Sequence, residues 1–400
     1  MLRTETNGEP GVARYTYRLR LSGRTHKALL REWDRCRWVW NQCVVESRAA
    51  NLAGEEIGPA ALDRKLTGWR AAHGWLRRGA SVPQQQIIRD FGRSRAKAIK
   101  DIQARLPMRQ RVEMPRLKKR GLANPTLNYT RRGFRMRNRR LLLAGGIGVR
   151  VVWSRELPAE PSSVRVYRDS LGNWYASFVV PAQVEPLPVT GRAIGVDGGV
   201  KELATTTSDI HDLPHPQHGK TAAAKLARYQ RQMARRRTLK GIPRSKGYKR
   251  AARRAARLHK RVQRQRQDTA RKWAKQVVRD HDRIAVEDFR PRFLARSTMS
   301  RKAADAAIGA AKRELIDMGR KHGRLIVLVD PRNTTTDCAS CGARTKHALP
   351  LSERTYSCTR CGVSRPRDKN SAHVMLVRAG FVPAGAEGVR PESPPGSEAT

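Results

Sequence analysis

Between Arg14 and Leu21 apolar and polar residues alternate, with Tyr15, Tyr17, Leu19 and Leu21 on one side. That period of two predicts a strand with one buried face. From Thr25 the period lengthens, and Leu29, Leu30, Trp33, Cys36, Trp40, Cys43 and Val44 return to one face of a helix. Cys36 and Cys43 lie inside this stripe and read as buried thiols. Helical spacing continues to about Arg105, with a break at Gly54 to Pro59. Strand character is expected from Met114 onward, at Leu141–Leu143, Ile147–Trp153, Val164–Tyr167 and Trp174–Val180. Asp169-Ser-Leu-Gly-Asn173 joins the last two as a hairpin turn. Strand, helices, then strands again predicts one small β-domain carrying a helical insertion.

A different rhythm begins at Ala193. The apolar run Ala193–Val196 ends in Asp197-Gly198-Gly199, and Leu203–Thr207 reads as its hairpin partner. Similar runs at Ile284–Val286 and Leu325–Val329 end in Glu287-Asp288 and Asp330-Pro331. Lys302 to Lys321 reads as one helix with Ala304, Ile308, Ala311 and Leu315 inward. Short buried strands alternating with helices indicate α/β architecture. The Gly-, Pro-, Glu- and Ser-rich stretch from Pro383 reads as a disordered tail.

Charge changes the picture most between Leu213 and Gln267, which hold nineteen Lys and Arg and no Asp or Glu. Two helices fit there, broken around Gly241-Ile-Pro243 to Gly247. Their apolar stripes are thin: Leu226 and Met233 on one, Leu258 and Val262 on the other. A solvated helix face normally mixes signs at i,i+4, so this stretch is read as a nucleic-acid contact. Arg235, Arg236, Arg237, Arg250, Arg253, Arg254 and Arg257 are its candidate phosphate ligands. The whole 400-residue chain carries 83 Lys+Arg against 34 Asp+Glu, a net charge of +49. Such an excess repels itself unless a polyanion shares the surface. No apolar run is long enough to span a bilayer and no signal-peptide pattern precedes Arg3, so a membrane partner is not expected.

Four of the six cysteines form two matched pairs, Cys338-Ala-Ser-Cys341 and Cys358-Thr-Arg-Cys361. This is four-cysteine zinc-ribbon spacing, with one structural Zn²⁺ as the expected ion. Gly342 and Gly362 follow each second cysteine, where the tight turn needs positive φ. Arg344, Lys346, Arg354, Arg360 and Arg365 surround the knuckles as further candidate phosphate contacts. Three acids stand at element ends: Asp197, Glu287 and Asp368, the last opening a helix over Lys369–Arg378. Singly each has a plain role, as a turn residue, a surface charge and a helix N-cap. Together, carboxylates suit Mg²⁺, and two such ions can activate water and stabilise the leaving oxygen of a phosphodiester.

The order and surroundings of these acids carry a resemblance. Gly195-Val-Asp197-Gly-Gly199 followed by Leu203-Ala-Thr205, Val286-Glu287-Asp288-Phe289, and Arg367-Asp368-Lys-Asn370-Ser-Ala372 are similar to the three motifs of RuvC-type RNase H-fold nucleases. With a zinc ribbon just before the third motif, the chain resembles the TnpB (OrfB) proteins of bacterial insertion sequences, relatives of type V CRISPR effectors. Val329-Asp-Pro331-Arg-Asn333-Thr-Thr-Thr336, Pro115-Arg-Leu-Lys118-Lys119 and Gly172-Asn-Trp174-Tyr175 extend the match from roughly Arg14 to Gly380.

The resemblance implies an α/β multidomain chain: a RuvC-like RNase H fold with an inserted zinc ribbon, and an N-terminal wedge-type β-barrel carrying an inserted helical recognition domain. The boundaries expected are 1–24 and 107–188 for the barrel, 25–106 for the recognition domain, and 189–331 for the nuclease core with its basic helical pair at 220–280. The ribbon is expected at 332–364, a C-terminal nuclease motif at 365–380, and a tail at 381–400. Asp197, Glu287 and Asp368 become the metal-binding catalytic triad, and Arg116, Lys118 and Lys119 further candidate contacts. The implied activity is Mg²⁺-dependent DNA cleavage beside a short flanking motif, directed by an element-derived guide RNA against target DNA. The implied setting is the bacterial cytoplasm, at the nucleoid. Two positions depart from the family pattern. Pro366 stands where a first Asp of the third motif is common, and Val374 where a second Asn is common. A guided repressor that does not cut, and a strand-transfer transposase, are the alternatives. Loss of triad acids would mark the first and an Asp, Asp, Glu order the second; this chain has Asp, Glu, Asp.

Overall fold

The computed structural model describes residues 3–4, 11–108, 110–121, 123–239, 242–288, 300–345, 350 and 352–382. The expected tail from Pro383, and Gly241, Phe289 and Lys346 among the motif and contact residues, lie outside them. The chain divides into two packed units, Pro10–Gln183 and Met1–Glu9 with Val184–Thr400.

In the first unit β2 (Val12–Arg20) leads into α1 (Gly23–Leu52), whose first turn is capped by the Ser22 hydroxyl accepting from the Thr25 N–H at 3.2 Å. Pro59 opens α2 (Pro59–Ala72), where its missing N–H costs nothing; α3 (Gly74–Arg77) and α4 (Ser81–Gln103) follow. The strands are β3 (Thr126–Thr130), β4 (Phe134–Arg137), β5 (Arg140–Leu143), β6 (Ile147–Val152), β7 (Ser163–Arg168) and β8 (Trp174–Pro181). They form one antiparallel sheet in the order β3-β7-β8-β2-β6-β5-β4. In a flat sheet β8 and β4, four strands apart, would stand about 19 Å from each other. The rings of Phe178 and Phe134 on those strands are 6.5 Å apart, so the sheet curls tightly around its core. The predicted stripe of α1 packs into that core, with Leu29, Trp33, Cys36, Trp40, Cys43 and Val44 buried. Burial pushes the Cys36 thiol well up and that of Cys43 up to about 12, as inert core thiols require.

Strand structure expected from Met114 starts only at Thr126. The intervening chain is held by side chains of α1 instead of a ladder. Trp40 Nε1 donates to the Arg116 carbonyl at 2.9 Å, and Asn41 Oδ1 accepts from the Lys118 N–H at 2.8 Å.

In the second unit β9 (Ala193–Asp197) and β10 (Glu202–Thr206) form the expected hairpin, continued by β11 (Leu213–Pro214). Helices α5 (His218–Arg235) and α6 (Lys246–Asp280) come next, then β12 (Arg283–Glu287), α7 (Ser300–Ala306), α8 (Ile308–Lys321) and β13 (Leu325–Val329). The pair β14 (Thr355–Ser357) and β15 (Ser364–Pro366) precedes α9 (Arg367–Arg378). The main sheet runs β1-β13-β12-β9-β10-β11, with β9, β12 and β13 parallel. The first strand, β1 (Arg3–Thr4), pairs with β13, which corrects the assignment of residues 1–24 as a block to the barrel.

Parallel strands buried on both faces read as continuous apolar runs, and here the two faces separate by alternation. Ile194, Val196, Ile284, Val286, Ile326 and Leu328 pack with Trp273 and Val277 of α6 and Ile308 and Leu315 of α8. Ala285, Val327 and Val329 face Met375 and Leu376 of α9. The single helix expected over Lys302–Lys321 is broken at Ala307, at φ 54. The break resets the helical phase, so Ala304 is exposed while Asp305 and Ala306 are buried. Asp305 accepts from the Gly219 and Lys220 N–H groups at 2.6 and 3.0 Å and pairs with Arg266 at 2.7 Å, tying α7 to α5 and α6.

Candidate active site and cysteine cluster

Asp197 and Glu287 end adjacent parallel strands in register, because Val196 pairs with Val286 one residue earlier. Both belong to the alternate set that points to the α9 side of the sheet. That helix brings Asp368 in its first turn. Close approach of α9 depends on Gly195: a Cβ there would lie 2.0 Å from the Ala372 carbonyl oxygen. The start of α9, with Asp368, therefore lies against β9 because residue 195 has no side chain, although the carboxylate oxygens of the three acids do not all come within 4.8 Å of one another.

The carboxylates perturb one another. Burial first, then the charges of Glu287 and Asp368 and a hydrogen bond with Glu287, push the Asp197 carboxyl well above the usual range. Glu287, only 9 % exposed, is also raised by burial. Its charged form is supported by the bond from Asp197, the Gly198 N–H and the Lys312 ammonium. Burial and mutual repulsion thus disfavour charging both carboxyls at once. The surface-charge reading of Glu287 is thereby corrected, since the register of β12 buries it.

Two lysines missed in the sequence brace this centre. Lys312 Nζ lies 2.6 Å from Asp288 Oδ1. Its signal was present: Lys312 is four residues after Ile308, on the inward side of α8. Lys369 Nζ donates to the Thr206 carbonyl at 2.9 Å and pairs with Asp209 and Asp212 at 2.6 and 2.7 Å. It thus fastens the start of α9 to the β10–β11 hairpin. Asn370, fully buried, donates to the Asp337 carbonyl at 2.7 Å and accepts from the Ala339 N–H at 3.3 Å.

Cys338, Cys341, Cys358 and Cys361 converge as their spacing predicts. Among the described residues theirs is the one group of three or more Cys, His, Asp or Glu ligand atoms lying within 4.8 Å of one another. Cys338 and Cys361 sulfurs are 3.7 Å apart, and those of Cys341 and Cys358 3.6 Å. A tetrahedron of Zn–S bonds of about 2.3 Å has an edge of about 3.8 Å, so the cluster is consistent with one structural zinc. Gly342 and Gly362 take φ of 71 and 74 and close each knuckle by donating to the Cys338 and Cys358 carbonyls. The thiols shift one another in opposite directions: against burial, the Cys361 and Arg360 N–H groups and neighbouring sulfurs bring Cys358 down to about 6, while against the Ala343 N–H, burial and the other sulfurs push Cys341 up to about 12.

Of the candidate phosphate contacts, Arg235, Arg237, Arg250, Arg253, Arg254 and Arg257 are exposed on or beside the α5–α6 pair without an ion pair among the described residues. Arg236 is exposed and reaches the Gly247 carbonyl. No residue of α5 is buried, in keeping with its thin apolar stripe. Arg116 pairs with Glu113, Lys119 is exposed, and the Lys118 ammonium lies 3.5 Å from the centre of the Trp40 ring, turned inward. Near the cysteines Arg344 is paired with Asp337, Arg365 donates to Ser340, and Arg354 and Arg360 are exposed. Among the described residues no helix is long and apolar enough to cross a membrane.

Comparison with known proteins gives consistent matches. The family profile OrfB_IS605, described as "Probable transposase", matches residues 177–297, and the "Cas12f1-like, TNB domain" profile matches residues 310–375. A protein of Streptomyces pristinaespiralis named "Putative RNA-guided DNA endonuclease" is 30% identical over 387 residues, covering 94% of this chain and 92% of its own. InsQ of Escherichia coli K12, which carries the same description, is 28% identical over 408 residues, covering 96% and 97%. The solved structure of a Cas12f1–sgRNA–target DNA complex superposes with a TM-score of 0.56 at 13% identity, over 89% of this chain and 83% of that one. It shares the mixed α/β multidomain fold.

Proposed function

This chain belongs to the TnpB/OrfB family of IS605-type insertion sequences, and from that premise we propose that it is an RNA-guided DNA endonuclease dependent on Mg²⁺, with Asp197, Glu287 and Asp368 as its catalytic acids. The observation that carries the reading is the pair of carboxylates ending β9 and β12 in register and joined by a hydrogen bond, with a third carboxylate on the first turn of α9. A cluster of like charges kept partly protonated is costly unless a cation enters it. The sheet order β11-β10-β9-β12-β13-β1, with β9, β12 and β13 parallel and β10 and the short edge strand β1 antiparallel to them, supports the RuvC-like assignment.

Asp197, Glu287 and Asp368 would hold the ions, which when bound supply Lewis acidity to the attacking and leaving oxygens. The chain's own residues prepare this. The Gly198 N–H and Lys312 favour the charged form of Glu287 against the burial that raises it, and a cation held by the acids would favour the charged form of Asp197. Lys369 and Asn370 fix the helix turn that presents Asp368. The zinc cluster, through Asn370, would hold the same turn from its other side. The exposed arginines of the α5–α6 pair provide a phosphate-binding surface for the guide–target duplex.

Sequencing the RNA that purifies with the protein, then offering DNA matched to that RNA, tests the proposal. A defined element-derived RNA and Mg²⁺-dependent cutting are expected. Heterogeneous or absent RNA would overturn the guided reading. Binding of matched target without any cut product would instead select the repressor, and joined products the strand-transfer reading.

A further inference from the structure

The loop between β10 and β11 forms a cup of oxygens that closes on Lys369. Its parts are the Thr206 carbonyl at 2.9 Å, Asp212 at 2.7 Å and Asp209 at 2.6 Å. The Asp209 side chain is 92 % exposed, so its pair with Lys369 contributes little, and the grip comes from Asp212 and the carbonyl. Asp212 is itself fixed, accepting at 2.7 Å from the N–H of Thr206, which is fully buried. Whatever holds this loop therefore holds the first turn of α9, and with it Asp368.

Two bonds between Thr207 and Gly195 tie the near end of the loop to β9. The far end is held from the last turns of α6 through His211. Trp273 Nε1 donates to the His211 carbonyl at 2.7 Å, while the His211 ring places Nε2 3.0 Å from Asp280 Oδ2 and Nδ1 2.9 Å from Ser208 Oγ. Arg279 first, against burial, and then His211 hold the Asp280 carboxyl well below the usual range, so it is ionised and only accepts. In the neutral ring Nε2 therefore carries the hydrogen, and Nδ1 accepts from the Ser208 hydroxyl. The His211 side chain is 10 % exposed, and the ring of His281 stands edge-on to it, with centres 4.7 Å and planes 79° apart. Burial brings His281 down to about 4, so this neighbour is a neutral wall. A hydrogen bond to a charge is strong in such a place. Its anchor is rigid as well, since Trp273, Ala274, Val277 and Val278 are buried in the core beneath the sheet.

We propose that His211 is a positioning residue of the nuclease centre, linking Asp280 at the end of α6 through the Asp209–Asp212 turn and Lys369 to Asp368. The same helix presents Arg250, Arg253, Arg254 and Arg257. The surface read as a phosphate contact and the acid read as a metal ligand are thus braced against one element. The role in cutting rests on the nuclease reading of Asp368, whereas the link from His211 to α9 does not.

The test compares His211→Gln with His211→Asn in the full-length protein and its copurified RNA. The glutamine nitrogen stands where Nε2 does and still reaches Asp280; the asparagine nitrogen stands where Nδ1 does and falls short. Both keep the Trp273 bond, which goes to backbone, and Asp280 keeps Arg279, so no charge is stranded. The readouts are hydrogen exchange of the first-turn amides of α9 and single-turnover cutting of matched DNA. His211→Asn should exchange faster there and cut about tenfold more slowly, the worth of one hydrogen bond to a charged group, with target binding unchanged. His211→Gln should resemble the parent in both. Asp280→Ala removes the acceptor from the other side, leaves only the exposed Arg279 unpaired, and should match His211→Asn. His211→Asn/Lys369→Ala should cut no more slowly than the slower single variant, because both act along one path. Parent-like exchange in His211→Asn and Asp280→Ala, equal losses in the Gln and Asn variants, or multiplied losses in the double variant would overturn the proposal. A parent complex that binds matched DNA without cutting it would fail the nuclease reading alone, and the exchange comparison would still decide the link.

Discussion

Replacing Gly195 by alanine asks whether the approach of α9 to β9 sets the geometry of the three acids. The added methyl would stand 2.0 Å from the Ala372 carbonyl oxygen, whereas ordinary contact begins at 3.4 Å. The helix must therefore yield by 3.4 minus 2.0, or 1.4 Å, and the obstacle is backbone that no rotamer can clear. Overpacking of this kind costs about 1–3 kcal/mol, and about 2–4 °C of melting temperature per kcal/mol in a unit of this size. A 1 Å misplacement of reacting groups can cost about 100-fold. We expect Gly195→Ala to fold, to bind matched target with unchanged affinity, and to cut at least about 100-fold more slowly in single-turnover assays. Gly68→Ala is the control, since its Cβ would meet nothing within 4 Å. Cutting by folded Gly195→Ala at nearly the parent rate would refute the claim that this contact places Asp368.

Other consequences can be checked on the same preparations. Asp197→Asn should raise the melting temperature of the metal-free protein at neutral pH. A carboxyl whose pKa is raised on folding contributes stability below its unfolded value that is lost as pH rises through the folded one. The gain should therefore vanish in acid below the ordinary aspartate range, and a gain independent of pH would contradict the raised Asp197 carboxyl. Lys369→Ala frees the first turn of α9 and should slow cutting while leaving zinc content unchanged by metal analysis; a parent-like rate would remove Lys369 as a positioning residue. Cys358→Ser should lower zinc content toward zero and weaken target binding, whereas full zinc retention would exclude this residue as a ligand.

Much of the site could be read from the chain because its causes are local. The cysteine knuckles close through glycines at fixed offsets. Asp197 and Glu287 end apolar runs whose parallel pairing brings them side by side. What could not be read depends on distant contacts. Residues after Met114 look extended, yet their backbone partners are Trp40 and Asn41 on a helix. Nothing local marks Ala307 as the break in the helix, and the break reverses the roles of Ala304 and Asp305. Arg3–Thr4 joins β13 more than three hundred residues away in the chain, too short a strand to carry a periodic signal.

The central claim is that Asp197, Glu287 and Asp368 work as one centre. The most direct measurement is Mg²⁺-dependent cutting of matched DNA by the purified RNA–protein complex, for each single alanine variant and for the triple variant, with target binding followed in parallel. Residues that act as a unit are non-additive. Each single variant should therefore lose cutting nearly as completely as the triple while target binding persists. Equal cutting by Asp197→Ala and the parent would contradict the account.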